Sequence, residues 1–228
     1  VLRNYIQPEQ LKPLLAGTSL ENYEPLENDP IKTREMLIDL ACNTKKEAGN
    51  GTCGSCPIDS HFNVKGVGTV VLGSVIDGYF KVHDKMQIYP IKKEVILKSI
   101  QKHDIDAADG IKGDHVGLAL RGIESDELDR GYVATTDPSI KMTRKVTAKA
   151  TLVKFWPNPI KDGMVIHIGH WMQMVPCRVT SSKDDGDFRS PTLEMEFDSD
   201  IIHKPGDKAM MMYLEGGKLR VVGSFILE

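Results

Sequence analysis

The sequence predicts a mainly β protein, two β-barrels in series preceded by a small α/β segment, and three observations carry that reading. Between Phe62 and Gly78 the chain runs as two short strands joined at a glycine corner. Val67, Thr69 and Val71 alternate there with Val70 and Leu72, and Gly66, Gly68 and Gly73 permit the bends of a small closed barrel. Alternation of this kind then recurs down the chain between short turns rich in Gly, Pro and Asp. Helical spacing, by contrast, is confined to the first 48 residues.

Taken in order, residues 1–48 read as strand, helix, strand, helix. They comprise a strand-like Val1-Leu2 start, a helix over Glu9 to Ala16, a brief segment Tyr23-Glu24-Pro25-Leu26, and a second helix opened by Asp29-Pro30. Aspartate caps the unpaired N–H groups of a helix start and proline suits its first turn, while Ile31, Leu37-Ile38 and Ala41 recur at helical spacing. Gly49 to Pro57 is glycine-rich and reads as a flexible linker. The first barrel is expected over 57–137. Both faces of its glycine-corner strands are predicted to be buried, and further strands follow in Tyr79 to Pro90 and Glu94 to Gln101. Asp137-Pro138-Ser139 ends it, and Lys141 to Lys145 reads as a charged connector. The second barrel is expected over 142–228. Val146, Ala148, Ala150 and Leu152 form one face of its first strand, with Thr147, Lys149, Thr151 and Val153 on the other. Gly163 to Val175 reads as one long strand and Thr192 to Phe197 as another. Ala209 to Leu214 turns at Glu215-Gly216-Gly217-Lys218 into a last strand, Leu219 to Leu227.

Composition narrows the function classes. A chain of 228 residues with 40% hydrophobic and 27% charged residues is long enough for two modest cores. Its 29 Lys plus Arg against 32 Asp plus Glu give a net charge of −3, which excludes an indiscriminate nucleic-acid binder and makes any RNA contact local. The apolar runs fall short of the roughly 20 residues that span a bilayer, Val1 to Tyr5 lacks secretory-signal character, and four irregularly spaced cysteines fit reduced thiols in a cytoplasm.

The ordered motifs of the first barrel are more specific than its composition. They are Gly68-Thr69-Val70 at the corner, Gly113-Asp114 at a turn, Val116-Gly117-Leu118 leading to Arg121-Gly122, and an acidic turn closing on Arg130-Gly131. Together they resemble domain II of elongation factor Tu. The wording of Val64 to Val70 and of Ser99-Ile100-Gln101 resembles archaeal relatives of the selenocysteine-specific elongation factor, among them an elongation-factor-Tu-like paralogue of methanogens. Met172 to Pro176, Lys204-Pro205-Gly206-Asp207 and the glycine-rich turn near the end resemble domain III of the same family. The opening 48 residues resemble the last third of its GTPase domain. There the family's guanine-reading Asn-Lys-x-Asp becomes Asn4-Tyr5-Ile6-Gln7, and no Gly-x-x-x-x-Gly-Lys-Ser/Thr loop occurs anywhere to cradle a phosphate. The comparison implies a chain that does not bind GTP and carries no cofactor. It is either a fragment or a protein whose nucleotide domain has decayed.

The resemblance also implies a site. Asp59 and Asp109 fall where elongation factor Tu has acidic residues lining its pocket for the terminal adenosine and aminoacyl group of charged tRNA, and Phe62 matches a phenylalanine of that pocket. A carboxylate accepts from a ribose hydroxyl or an α-amino group, and an aromatic ring packs on sugar or base. Both aspartates are also ordinary turn formers. Ser60 stands where the family has a second acid, and Val67 where it often has arginine. Lys65, Arg121, Arg130 and Lys149 are the candidate phosphate contacts.

Other constellations carry less. His167-Ile168-Gly169-His170 spells a nucleotide-binding signature of class I aminoacyl-tRNA synthetases, but it lies in a strand pattern rather than at a helix start. Phe155-Trp156 and Trp171 read as core or packing surface, with Lys154 and Arg178 nearby for an RNA backbone. Cys53-Gly54-Ser55-Cys56 with Cys42 and His61 lacks zinc-ribbon spacing, so no metal is expected. Met210-Met211-Met212 reads as a buried strand. No catalytic triad or carboxylate pair is present in the pattern, so the expectation is a non-enzyme. The reading is a cytoplasmic elongation-factor-like protein that binds tRNA or the ribosome, with no membrane or DNA partner. The alternatives are a protein-protein adaptor or regulatory pseudo-GTPase, and the C-terminal part of a GTPase factor.

Overall fold

The computed structural model describes residues 7–24, 26, 28–44, 53–215 and 220–228. The chain divides into two compact units, Val1–Lys46 and Glu47–Glu228. In the first, α1 (Pro8–Leu15) and α2 (Pro30–Asn43) form where the spacing predicts helices. Asp29 caps α2 as expected, its Oδ1 accepting from the N–H groups of Ile31 at 3.0 Å and Lys32 at 3.1 Å. Tyr23, Glu24 and Leu26 are not a strand. Among the described residues no strand pairs with Tyr23, Glu24 or Leu26, and a proline within so short a segment removes a ladder donor. Val1-Leu2, Asn4-Tyr5-Ile6, Pro25, most of the linker and Gly216 to Leu219 lie outside the described residues.

In the second unit the first barrel comprises β1 (Ser55–Val64), β2 (Gly68–Ser74), β3 (Tyr79–Lys81), β4 (Lys85–Tyr89), β5 (Lys93–Lys102), β6 (Ile105–Ala107), β7 (Asp109–Ile111), β8 (His115–Arg121) and β9 (Val133–Thr135). Its ring runs β4-β9-β1-β2-β8-β5 and closes through β4–β5, while β3 and β7 pair separately. Closure removes the free edges that an open sheet would expose. Ile58, Val71, Phe80, Ile88, Leu97, Ile100 and Leu118 fill the interior at 0% exposure.

The second barrel-like sheet comprises β10 (Lys141–Lys149), β11 (Thr151–Leu152), β12 (Val165–His170), β13 (Gln173–Lys183), β14 (Thr192–His203), β15 (Lys208–Met212) and β16 (Val221–Ile226), in the order β10-β14-β13-β12-β15-β16-β11. Its core gathers Ile166, Ile168, Cys177, Leu193, Phe197, Met211 and Val222. The mainly β, two-barrel expectation holds.

Three local readings change. Lys141 to Lys145 is no connector: it is the first half of β10, its cations pointing outward while Val146 and Ala148 turn toward the core. Gly163 to Val175 is not one strand. It folds back as the hairpin β12–β13, whose loop is Trp171-Met172, with Trp171 at φ 50° and His170 paired across to Gln173. The opening strands of the first barrel are not buried on both faces, since Phe62 is 42% and Leu72 41% exposed. Val67 shares no face with Thr69 and Val71, because it belongs to the turn between β1 and β2. A single closed barrel has one interior, so the outward positions of its strands stay open unless something covers them.

The barrels meet through a small core of Val133, Ile140 and Ile202, flanked by Tyr89, Met142 and Trp171. Beside it Lys204 Nζ reaches Asp77 Oδ2 at 2.7 Å and Asp137 Oδ2 at 2.9 Å, tying the second barrel to the first. Gly131, at φ 91°, lies against the hairpin loop: a Cβ there would stand 3.2 Å from Met172 O and Gln173 Cγ. The Gln173 amide is itself held by Ile202, donating to its carbonyl at 2.7 Å and accepting from its N–H at 2.8 Å.

Candidate functional site

A register shift in β1 builds the site. Ile58 pairs with Gly73 but Ser60 already pairs with Leu72, so Asp59 is the extra residue of a β-bulge. The bulge flips the alternation. Cys56 and Ile58 face the core, yet Phe62, three pairs further on, faces outward. Two cross-strand rows then floor an outer groove: Phe62–Val70–Ala119–Ser99 and Leu72–Gly117–Gln101. Phe62, Val70 and Leu72 bring bulk from β1 and β2 while Gly117 and Ala119 bring little from β8, and that difference in height makes the surface concave.

The groove has a volume of about 770 Å³, and its walls include Asp59, Phe62, His103, Asp104, His115 and Met172. His103 and Asp104 sit in the β5–β6 turn with φ of 51° and 63°. His115 Nδ1 lies 2.9 Å from Ser74 Oγ. Apolar floor, one aromatic and a few convergent polar groups are the usual makeup of a ligand groove.

The expected residues divide. Asp59 and Phe62 share the groove. Asp109 does not line it. It sits in β7, where its Oδ1 accepts from Lys102 Nζ at 3.1 Å. Burial acts to lower the Lys102 ammonium pKa, but hydrogen bonds to Asp114 and then Asp109 outweigh it and raise the pKa above its ordinary value. Asp59 is met by Arg130, whose Nη2 lies 2.9 Å from its Oδ1. A pocket acid and a supposed phosphate contact are therefore partners, both well exposed, so the pair is weak and free to exchange. Lys65 lies in the β1–β2 turn and Arg121 ends β8, both exposed, while Lys149 belongs to β10 of the other barrel.

Sequence reasoning missed the groove floor, His103, Asp104, His115 and Met172. The small-large alternation Val116-Gly117-Leu118-Ala119-Leu120 was a legible signal of a shallow outer face. Met172 had none, because it arrives from the other barrel. His167 to His170 lies within β12, as its strand pattern suggested. Trp156 is core at 5% exposure, whereas Phe155 is 51% exposed. Of the three methionines, Met211 is buried and Met210 is 40% exposed, the plain alternation of a strand with one wet face. Among the described residues no group of three or more His, Cys, Asp or Glu is arranged to hold a metal ion, and no helix is long and apolar enough to cross a membrane.

A closed six-stranded barrel joined to a second β sheet of this order, with its groove on the outer face of the first, defines a two-barrel module of the translation-factor type. The model of elongation factor Tu domain 2 matches residues 68–135. An uncharacterized protein of Methanocaldococcus jannaschii is 33% identical over 224 residues, which is 98% of this chain and 68% of that protein. The selenocysteine-specific elongation factor of the same organism is 32% identical over 174 residues, covering 70% of this chain and 37% of that protein. Among solved structures, translation elongation factor SelB from Methanococcus maripaludis in complex with the GTP analogue GppNHp superposes with a TM-score of 0.82 at 22% identity, covering 96% of this chain and 54% of that one. This chain belongs to the elongation factor Tu/SelB-like family of translation factors. It spans about a third to a half of the elongation factors it matches.

Proposed function

We propose that this chain is a cytoplasmic, translation-associated binding module that takes the charged 3′ end of a tRNA in the groove of its first barrel and catalyses nothing itself. The observation that supports this reading is that Asp59, the bulge residue, and Phe62 open onto one groove of about 770 Å³. Phe62 offers a face for base or ribose. Asp59 exchanges its exposed Arg130 partner for an α-amino group or a ribose hydroxyl, and Arg130 is then free to meet a phosphate. Lys65, Arg121 and Lys149 supply further phosphate contacts, and Asp109 acts from outside the groove by holding Lys102.

The test is equilibrium binding of aminoacylated and uncharged tRNA across a salt series. Charged tRNA is expected to bind more tightly, and Phe62→Ala to weaken it by roughly tenfold, the scale of removing one stacking platform. Reversing Lys65, Arg121 and Lys149 should lower the salt slope by about one for each phosphate no longer neutralised. Equal, Phe62-independent binding of both tRNA forms would refute the reading.

One observation favours a second reading, a protein adaptor. Neither α1 nor α2 buries a single residue, and on one side of α2 Ile31 is 71%, Leu37 56% and Ile38 48% exposed. Such a face is shaped to receive another polypeptide layer. Absence of tRNA binding at low salt would move this reading to first place.

A further inference from the structure

The groove is not the property of one barrel. Met172, the second residue of the β12–β13 loop, belongs to the second barrel and yet lines the groove of the first. Nothing about its position is casual. Trp171 before it is held at φ 50°, a left-handed conformation that a bulky residue adopts only when its surroundings impose it. Trp171 packs against the small core between the barrels and stacks on His170 with ring centroids 4.4 Å apart. Gln173 after it is fixed by its two hydrogen bonds to the Ile202 backbone. From the other side Gly131 lies against the Met172 carbonyl, and Gly131 directly follows Arg130, the partner of Asp59. The loop that presents Met172 is thus pinned on both flanks. Met172 and Asp59 both line the groove, and the Met172 backbone meets the residue that follows Arg130, the partner of Asp59. Met172 itself is 37% exposed, so part of its side chain has nothing packed on it.

Building on the charged-tRNA reading, we infer that Met172 is a specificity-determining residue: the wall, lent by the second barrel, against which the side chain of the esterified amino acid packs. Asp59 and Asp104 are the carboxylates lining the groove, and Asp59, whose Arg130 partner directly precedes the glycine lying against Met172, is the one suited to the α-amino nitrogen here. The side chain carried on the same α-carbon then extends along the groove that Met172 also lines. An unbranched, polarizable thioether adapts to apolar side chains of different shape, and it offers nothing to a carboxylate. The groove therefore accepts apolar aminoacyl groups in preference to acidic ones. The discrimination belongs to a residue more than a hundred positions from Asp59 in the chain. Because the loop is positioned by the contact between the barrels, it exists only while they are docked.

The experiment measures dissociation constants of the full chain for one tRNA body in three forms, charged with leucine, charged with aspartate, and uncharged. It compares the native protein with Met172→Ala, Met172→Glu and Phe62→Ala. For the native protein the leucyl form should bind more tightly than the aspartyl form. Truncating the methionine wall should weaken leucyl-tRNA by about fivefold and leave uncharged tRNA unchanged. Met172→Glu should disfavour the aspartyl form further. Thermal midpoints of the Met172 variants should match the native protein, since the replaced atoms are partly in solvent. If Met172→Ala and Met172→Glu discriminate as the native protein does while Phe62→Ala weakens charged tRNA, the inference is overturned and the groove reading stands. If Phe62→Ala is also without effect, both fall together.

Discussion

Removing the Lys204 ammonium tests whether the two barrels are held as one body by a charged bolt. Lys204 Nζ lies 2.7 Å from Asp77 Oδ2 and 2.9 Å from Asp137 Oδ2. The Asp137 side chain is only 10% exposed, while Lys204 is 38% and Asp77 41% exposed. The Asp77 leg is therefore screened by water and is worth less than about 1 kcal/mol. The Asp137 leg is closer to a buried pair, where removing one partner costs about 3–5 kcal/mol because a charge is left uncompensated. Asp137 keeps a hydrogen bond from the Ser139 N–H at 2.8 Å, which softens that loss. Lys204→Met should therefore cost roughly 2 kcal/mol, lowering a urea midpoint by about 1 M at an m-value of about 2 kcal/mol/M.

The pH dependence gives the bolt a signature. Hydrogen bonding to Asp77, then Asp137, raises the Lys204 ammonium above its ordinary 10.5. The Lys204 hydrogen bond holds Asp77 below 3.8. Burial acts to raise Asp137, but its hydrogen bonds from Ser139 and Lys204 outweigh that and hold it below 3.8 as well. A lowered carboxyl stabilises the fold above its unfolded value and loses that contribution as pH falls through the folded one. A raised ammonium does the reverse at the alkaline end. The difference between native and Lys204→Met should therefore be constant between about pH 4 and 10 and shrink outside that range. Pairing the change with Asp137→Asn should restore much of the loss. A midpoint shift below about 0.2 M at pH 7, or one that persists unchanged at pH 2, would refute the account.

Two further outcomes follow from the fold. Gly73 crosses the β1 bulge so closely that a Cβ would collide with the Pro57 carbonyl oxygen and stand 2.6 Å from Cys56 Sγ. Gly73→Ala should cost more than about 2 kcal/mol by overpacking, and a denaturation midpoint equal to that of the native protein would contradict the bulge geometry. His203, fully buried, has its pKa lowered chiefly by burial, against opposing contributions from the Lys204 backbone and Asp207. A lowered histidine favours the neutral form in the fold, so stability should decline as pH drops below the ordinary 6.5. His203→Gln should flatten the slope of urea midpoint against pH between about 7.5 and 5.5, and an unchanged slope would assign the proton uptake elsewhere.

Much of this molecule is legible in its sequence because the information is local. Apolar alternation, glycine corners and the Asp29-Pro30 helix start each depend on a few neighbouring residues, so strands, turns and helices were legible, as was their resemblance to a two-barrel translation factor. Asp59 and Phe62 were legible too, through motif order. What only the tertiary structure decided depends on register and on distance along the chain. One extra residue at Asp59 turns Phe62 from core to surface, and no local pattern announces a bulge, since its cause lies in how β1 meets β2 and Gly73. The same folding pairs Asp59 with Arg130, moves Asp109 away to Lys102, and splits the expected strand at Trp171. It carries Met172 across to the other barrel's groove. Side chains that meet only when two sheets dock leave no trace in the spacing of either, because each strand's pattern records which face is wet, not what later covers it.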